Sequence, residues 1–355
     1  MDVSVEEFLD EDWLTYISES ISLLRPVAEK VLEIHFEGLQ RERVIELLDA
    51  VKDFLEYKLR VAGIEDSVLL KRLKDVRDFI SSLPSLPIQI RPRGRIRDLA
   101  ELLESMPSLP RPGLLLPKPK DIARTLKELD ELIDLLIFDF HTHVNTLTKL
   151  FDVIKPEAIP WLVKFISKNP GYVRTVLGEP LFIWWFSRTL SKRGDKSYWS
   201  NAKGPFTTGN AEIDVASIIC RKNVCEYAVA EVELSRGLKR LEVEGVEKAI
   251  KQVMRAVTAL KQVSNVRVIT TQCRSENVSE CICREVAIAT LYNIKDVKDR
   301  LKERLEAGVR KNNLECNVEV YDINDVLENL HGLREDVKSK YRELLLTINK
   351  IIETT

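Results

Sequence analysis

Near residue 205 the spacing of apolar residues changes, and that change constrains the fold more than any other feature of the chain. Before it, apolar residues recur at three- and four-residue steps, as in Leu9, Trp13, Ile17, Ile21 and Leu24. This is the period of helices with one buried face. After it, β-branched residues alternate through 212–220, 225–234, 266–271 and 317–321, the two-residue period of strands. Helical spacing returns at 241–263, 294–311 and 325–352, while 284–293 (REVAIATLYN) fits either state. Strand, strand, helix, strand, helix, strand is an α/β order. The chain therefore reads as an all-α N-terminal region followed by an α/β C-terminal domain.

Within the helical region, Ser4 and Glu7 have the spacing of a capping box. Pro26 is expected to interrupt the first helix. A second pattern runs Val44, Leu47, Leu48, Val51, Phe54 and Leu55, and a third helix is expected over 67–80. Residues 83–120 hold eight of the fourteen prolines, a density that excludes regular helix for most of the segment. The predicted organisation is a helical region 1–82, a Pro-rich linker 83–120 with a short helix near 97–105, a helical connector 121–170 beginning with a long helix over 121–154, and a domain 171–355 closed by a C-terminal helix. Further helical pieces are expected after Pro156 and Pro180.

A chain of 355 residues, 45% hydrophobic, can bury two cores. Its acidic start (MDVSVEEFLDEDW) lacks the apolar run of a signal peptide. The longest apolar stretch, 132–140, is broken by Asp134 and Asp139, so no membrane partner and a cytoplasmic location are expected. The net charge of −2 is unevenly spread, because residues 1–60 carry fifteen Asp/Glu against seven Lys/Arg. That acidic surface would repel phosphate, so protein contact, including a homodimer, is the expectation for the helical region. Only five Gln beside abundant Lys, Glu and Arg lean towards a thermophile. All six cysteines lie after residue 219. Free thiols are the default in a cytosolic chain, although hyperthermophiles keep intracellular disulfides.

Two constellations suggest chemistry. Asp139-Phe140-His141-Thr142-His143 has the look of a metal-binding strand. Its surroundings have helical spacing, however, and two histidines at i, i+2 on a helix point roughly 200° apart. The second is GNAEIDVASIICRKNVCEYAVAEVEL, residues 209–234. Folded as a hairpin about Lys222-Asn223, it places Asp214 opposite Glu231, Glu212 opposite Glu233 and Cys220 opposite Cys225. A Cys220–Cys225 disulfide is geometrically possible in this register. Like charges facing one another destabilise a sheet. A hard divalent cation held by oxygen ligands and water resolves the conflict, which suits Mg²⁺ or Mn²⁺. Solvated acids on two amphipathic strands are the alternative.

An Asp at the start of one strand and Glu-x-Glu at the end of the next resembles the PD-(D/E)xK nuclease superfamily, the restriction-endonuclease-like fold. Asp214 matches its first acid and Glu231 its second. Glu233 stands where lysine is usual, as in a minority of restriction enzymes. The resemblance covers about 171–330 and implies a mixed central sheet. It further implies an extra acid, Glu179, on the preceding helix, and Lys248, Lys251 and Gln252 on the following one. By the same resemblance Asp214, Glu231 and Glu233 would hold the metal with the Val232 carbonyl. Glu233 would act as general base or help hold a second metal, and a second cation, or Lys248 or Lys251, would neutralise the phosphate in place of the missing lysine. The implied activity is metal-dependent hydrolysis of phosphodiester bonds, DNA more than RNA. The alternatives are an inactive nuclease fold that binds nucleic acid, or a helical assembly protein. Residues 181–210 add five Lys/Arg against one Asp among aromatics. Lys192, Arg193, Lys196 and Lys203 are the candidate nucleic-acid contacts, with Trp184, Trp185, Phe186, Tyr198 and Trp199 as candidate stacking residues.

Overall fold

The structure, a computed structural model, describes residues 11–37, 39–64, 67–83, 95–105, 118–154, 156–188, 206–207, 212–221, 223–233, 238–261, 279–330 and 333–354. It is mostly helical, with a four-stranded mixed sheet in the C-terminal half. Among the described residues no helix is long and apolar enough to cross a membrane. The chain divides into two compact units, residues 19–142 and residues 1–18 with 143–355. Two long helices, α1 (Glu11–Glu37) and α5 (Pro119–Val153), contribute to both.

The unit of residues 19–142 adds α2 (Arg41–Val61), α3 (Val68–Ser82) and α4 (Ile96–Ser105). Contrary to the sequence expectation, α1 runs through Pro26. Leu24, Val27 and Ala28 are buried on either side of it, so the apolar stripe stays in phase. Its packing outweighs the roughly 3 kcal/mol that an interior proline costs a helix. Ser67 caps α3 by accepting from the Leu70 N–H. Gly63, at φ +69°, supplies the left-handed residue that ends α2. The Ser4–Glu7 capping box lies outside the described residues.

The other unit carries α6 (Ile159–Lys168) and α7 (Gly178–Arg188), the latter continuing from a π-helical turn at Val173–Leu177. The strands follow: β1 (Phe206–Thr207), β2 (Glu212–Ile213), β3 (Val215–Arg221) and β4 (Val224–Val232). Next come α8 (Leu238–Arg240), which passes through a π-turn into α9 (Val246–Leu260), then β5 (Glu280–Ala289), α10 (Lys298–Lys311), β6 (Asn317–Tyr321), α11 (Ile323–Glu328) and α12 (Glu335–Thr354). The sheet order is β3-β4-β5-β6. β3 and β4 are antiparallel, and β4, β5 and β6 are parallel.

Three local readings change. The ambiguous segment 284–293 is strand through Ala289. The C-terminal helix is two helices, separated after Asn329. The strand expected over 212–220 breaks at Asp214, so the Glu212 backbone pairs with Thr207 and not with Glu233. The strand expected at 266–271 lies outside the described residues.

Pairing fixes the two faces of the sheet, because neighbours across a ladder share a face. One face carries Ala216, Ile218, Tyr227, Val229, Glu231, Val286 and Ile288. Here the Tyr227 hydroxyl donates to the Val257 carbonyl of α9 at 3.2 Å. The other carries Ala230, Val232, Ala287, Ala289 and Tyr321. Tyr321 meets Trp185 and Phe186 of α7 there, each with ring centroids 5.4 Å apart. Beneath it the buried Glu285 accepts from the Tyr321 hydroxyl at 3.0 Å.

Candidate functional site

The hairpin has the expected register. Val215 pairs with Ala230 and Cys220 with Cys225, in step throughout. The ladder ends at Val215, and the chain bends at Asp214. Backbone amides alternate sides along a strand, and the Glu233 N–H reaches Ala289 of β5 at 2.8 Å. The Val232 N–H therefore points towards β3, which has already turned away. The Asp214 carboxylate takes its place, with Oδ2 accepting from the Val232 N–H at 2.8 Å. The Val232 carbonyl shares that direction, at the edge where Asp214 sits.

Asp214 is thereby held on the backbone between Glu231 and Glu233, two residues that share a face of the strand. Asp214, Glu231, Glu233 and Glu179 are 5%, 5%, 7% and 3% exposed. Acidic side chains this buried are uncommon without compensation by charge, hydrogen bonds or a cation. They are therefore not the solvated surface acids of the alternative reading.

Helix α9 sets the rest of the site. As the crossover between parallel strands β4 and β5, it runs back against both. Starting from the Tyr227–Val257 contact, nine residues back along α9 and four forward along β4 both cover about 13 Å. Lys248 thus stands level with Glu231, and Gln252 level with Val229. The helix buries Ala249, Val253, Ala256 and Leu260. Ile250 lies on one flank of that stripe, close enough to Gly308 of α10 that a Cβ there would meet its Cγ2 at 2.9 Å. The opposite flank, carrying Gln252, Lys248 and Arg255, is turned away from α10. Lys248 and Lys251 are exposed, and the Gln252 Oε1 is a buried atom with no hydrogen-bond partner among the described residues.

Glu179 lies in the first turn of α7 and is buried. Its helix α7 packs on β3 and β4 from the Tyr321 face, across the sheet from α9. Lys192, Arg193, Lys196 and Lys203, with Tyr198 and Trp199, lie outside the described residues. Trp184, Trp185 and Phe186 are 2%, 0% and 0% exposed, so they are core and not a platform for bases. His141 and His143 lie on α5, where helical geometry turns them apart.

The oxygens at the hairpin end are hard donors. Among the described residues no three His, Cys, Asp or Glu form a group that could enclose an ion. The donor chemistry fits a cation such as Mg²⁺, which is commonly held by one or two carboxylates and keeps several waters. Asp214, Glu231 and the Val232 carbonyl are the residues suited to hold it.

The default of free thiols is corrected. Cys220 is bonded to Cys225 and Cys283 to Cys316. Cys281 keeps its thiol, whose pKa is pushed up by burial and by the nearby Glu280. The Cys283–Cys316 bond and the Val232 N–H escape sequence reasoning. The first joins residues 33 positions apart that no local pattern pairs, and the second is a backbone group without a side-chain signature. No protein-family model, curated protein or solved structure matches the chain.

Proposed function

We propose that the unit containing the sheet is a metal-dependent nuclease hydrolysing phosphodiester bonds of nucleic acid, DNA more than RNA. The observation that carries this reading is the placement of Asp214 on the Val232 N–H, between Glu231 and Glu233, at the open end of a hairpin. The order of the hairpin, a crossover helix and a parallel strand supports the likeness to PD-(D/E)xK nucleases.

When bound, Mg²⁺ or Mn²⁺ supplies positive charge to the scissile phosphate and to the attacking water. Asp214 and Glu231 orient that charge, Asp214 being fixed by its backbone donor. Glu233 accepts a proton from the attacking water as general base. Lys248, level with Glu231 on the flank of α9, neutralises a non-bridging phosphate oxygen, the task of the lysine absent from position 233. Gln252 offers an amide to hold the phosphate or water in line.

One observation favours a second reading. With Glu at position 233 the hairpin end carries three carboxylates and no lysine, as an inactive fold that only binds nucleic acid would. Incubating plasmid, single-stranded DNA and RNA with Mg²⁺, Mn²⁺ or EDTA separates the two. Cutting that EDTA abolishes is the expected result, whereas binding without cutting under any metal would replace the nuclease with the binding protein.

A further inference from the structure

We propose that Cys281 and the Cys220–Cys225 disulfide form a thiol–disulfide exchange site, in which the bond migrates to Cys225–Cys281 and the thiol passes to Cys220. The proposal is independent of the reading of the acids as a cutting site, and it starts from the register of the sheet. Cys225 pairs with Cys220 across the antiparallel ladder to β3, and with Cys281 across the parallel ladder to β5. Partners across a ladder share a face. Three cysteines therefore stand in one row over three adjacent strands, with Cys225 in the middle. Neighbouring strands lie about 4.8 Å apart, within the Cα separations that a disulfide spans.

The row has the order that exchange requires. The Cys281 thiolate attacks the Cys225 sulfur from the β5 side, and the Cys225–Cys281 bond forms. The Cys220–Cys225 bond breaks, and Cys220 leaves on the β3 side as thiolate. The proton given up at Cys281 is balanced by one taken up at Cys220, so no outside oxidant or reductant is consumed. Burial selects the attacking thiol. Cys225 is 0% exposed, which closes its sulfur to thiols in solution, whereas Cys281 is half-buried on the neighbouring strand. Among the described residues Cys281 is the one free thiol. The Cys283–Cys316 bond is the poorer target, because Cys283 lies two residues along the same strand, about 6.6 Å away and at the far end of the range a disulfide spans. Exchange moves the covalent tie from inside the hairpin to the pair β4 and β5. It leaves β3, the strand that leads from Asp214, held to β4 by its ladder alone.

The test uses the full chain carrying Cys273→Ser, which leaves Cys281 as its one thiol. The protein is held near about pH 8.5, where thiolate is available, alkylated with iodoacetamide at intervals and mapped by peptide mass spectrometry without reduction. The expected result is label on Cys220 as well as Cys281, with peptides joined through Cys225–Cys281. At equilibrium the two labels should agree within about tenfold, and dilution should leave the rate unchanged because the step is intramolecular. The Cys283–Cys316 bond stays intact. Label confined to Cys281 over a day overturns the site, and so does label shared equally with Cys283 and Cys316, the pattern of unfolding and general scrambling. A Cys220→Ser/Cys273→Ser chain gives a second reading. Under oxidised glutathione it should form the Cys225–Cys281 bond, and a folded variant that keeps both thiols would overturn the row.

Discussion

At the scale of single residues, Asp214 has two roles that can be separated. Its carboxylate completes the end of the hairpin through the Val232 N–H, and its charge is what a cation would use. Asp214→Asn keeps an accepting oxygen and removes the charge, so folding should be nearly unchanged. Asp214→Ala leaves the Val232 N–H without that partner, and should cost about 1–3 kcal/mol in urea unfolding. Equal stability of the Ala and Asn variants would mean that the hydrogen bond contributes nothing. Asp130 shows the opposite balance in the unit of residues 19–142. Burial raises its pKa, opposed by the charge of Arg95 3.1 Å away. A carboxyl whose folded pKa lies above its unfolded value weakens the fold once ionised, and that penalty disappears as pH falls below the unfolded value of about 3.9. Asp130→Asn should therefore be more stable than the parent at pH 7, with the gap closing towards pH 4. Urea midpoints at the two values check the sign, and a gap that widens on acidification would contradict it.

At the scale of elements, the packing of α9 on α10 decides which flank of α9 faces its neighbour. Gly308→Ala improves helix propensity by about 1 kcal/mol, yet the new Cβ would sit 2.9 Å from the Ile250 Cγ2. Overpacking of this kind usually costs about 1–3 kcal/mol, so the single substitution should destabilise. In an Ile250→Ala background the clash is gone and the same change should stabilise. A double-mutant cycle without coupling would mean that Ile250 does not face α10, and would undo the orientation of Lys248. Much of this level was legible in the sequence. The hairpin register follows from a two-residue loop and alternation on both strands, since a slip by one residue would turn every buried side chain outwards. The break at Asp214 was not legible, because a bend that trades a ladder carbonyl for a side-chain oxygen leaves no trace in the apolar period. Pro26 misled for a related reason: local preference marks a stop, while the stripe of Leu24, Val27 and Ala28 is satisfied only by tertiary packing. The flank that α9 turns to α10 depends on Ile250 meeting Gly308, a contact between residues 58 positions apart that no local pattern encodes.

At the scale of the whole molecule, the two units differ in what holds them. Residues 19–142 contain no cysteine and are held by helix packing, with ion pairs such as Arg77–Asp49 at 2.5 Å. The other unit is bridged by Cys220–Cys225 and Cys283–Cys316, the second closing the longer loop. In the chain-entropy view these contribute about 2 and 4 kcal/mol. Reduction should lower hydrogen-exchange protection in β3 to β6 and leave α2 and α3 as they were, and equal loss in both units would show that they unfold as one. The proposed site lies in the bridged unit, where β4 carries Glu231 and α9 carries Lys248 and Gln252. The most direct measurement of the central claim is the single-turnover rate of DNA cleavage in Mg²⁺ by the parental chain and by Asp214→Asn, at equal amounts of bound substrate. A loss of about 10²–10³-fold or more with binding retained is the expected result, on the scale of removing one electrostatic contact made in the transition state. A variant that cuts within about threefold of the parent, near the 0.6 kcal/mol set by RT at 298 K, would contradict it, because the phosphodiester chemistry would then lie elsewhere in the chain.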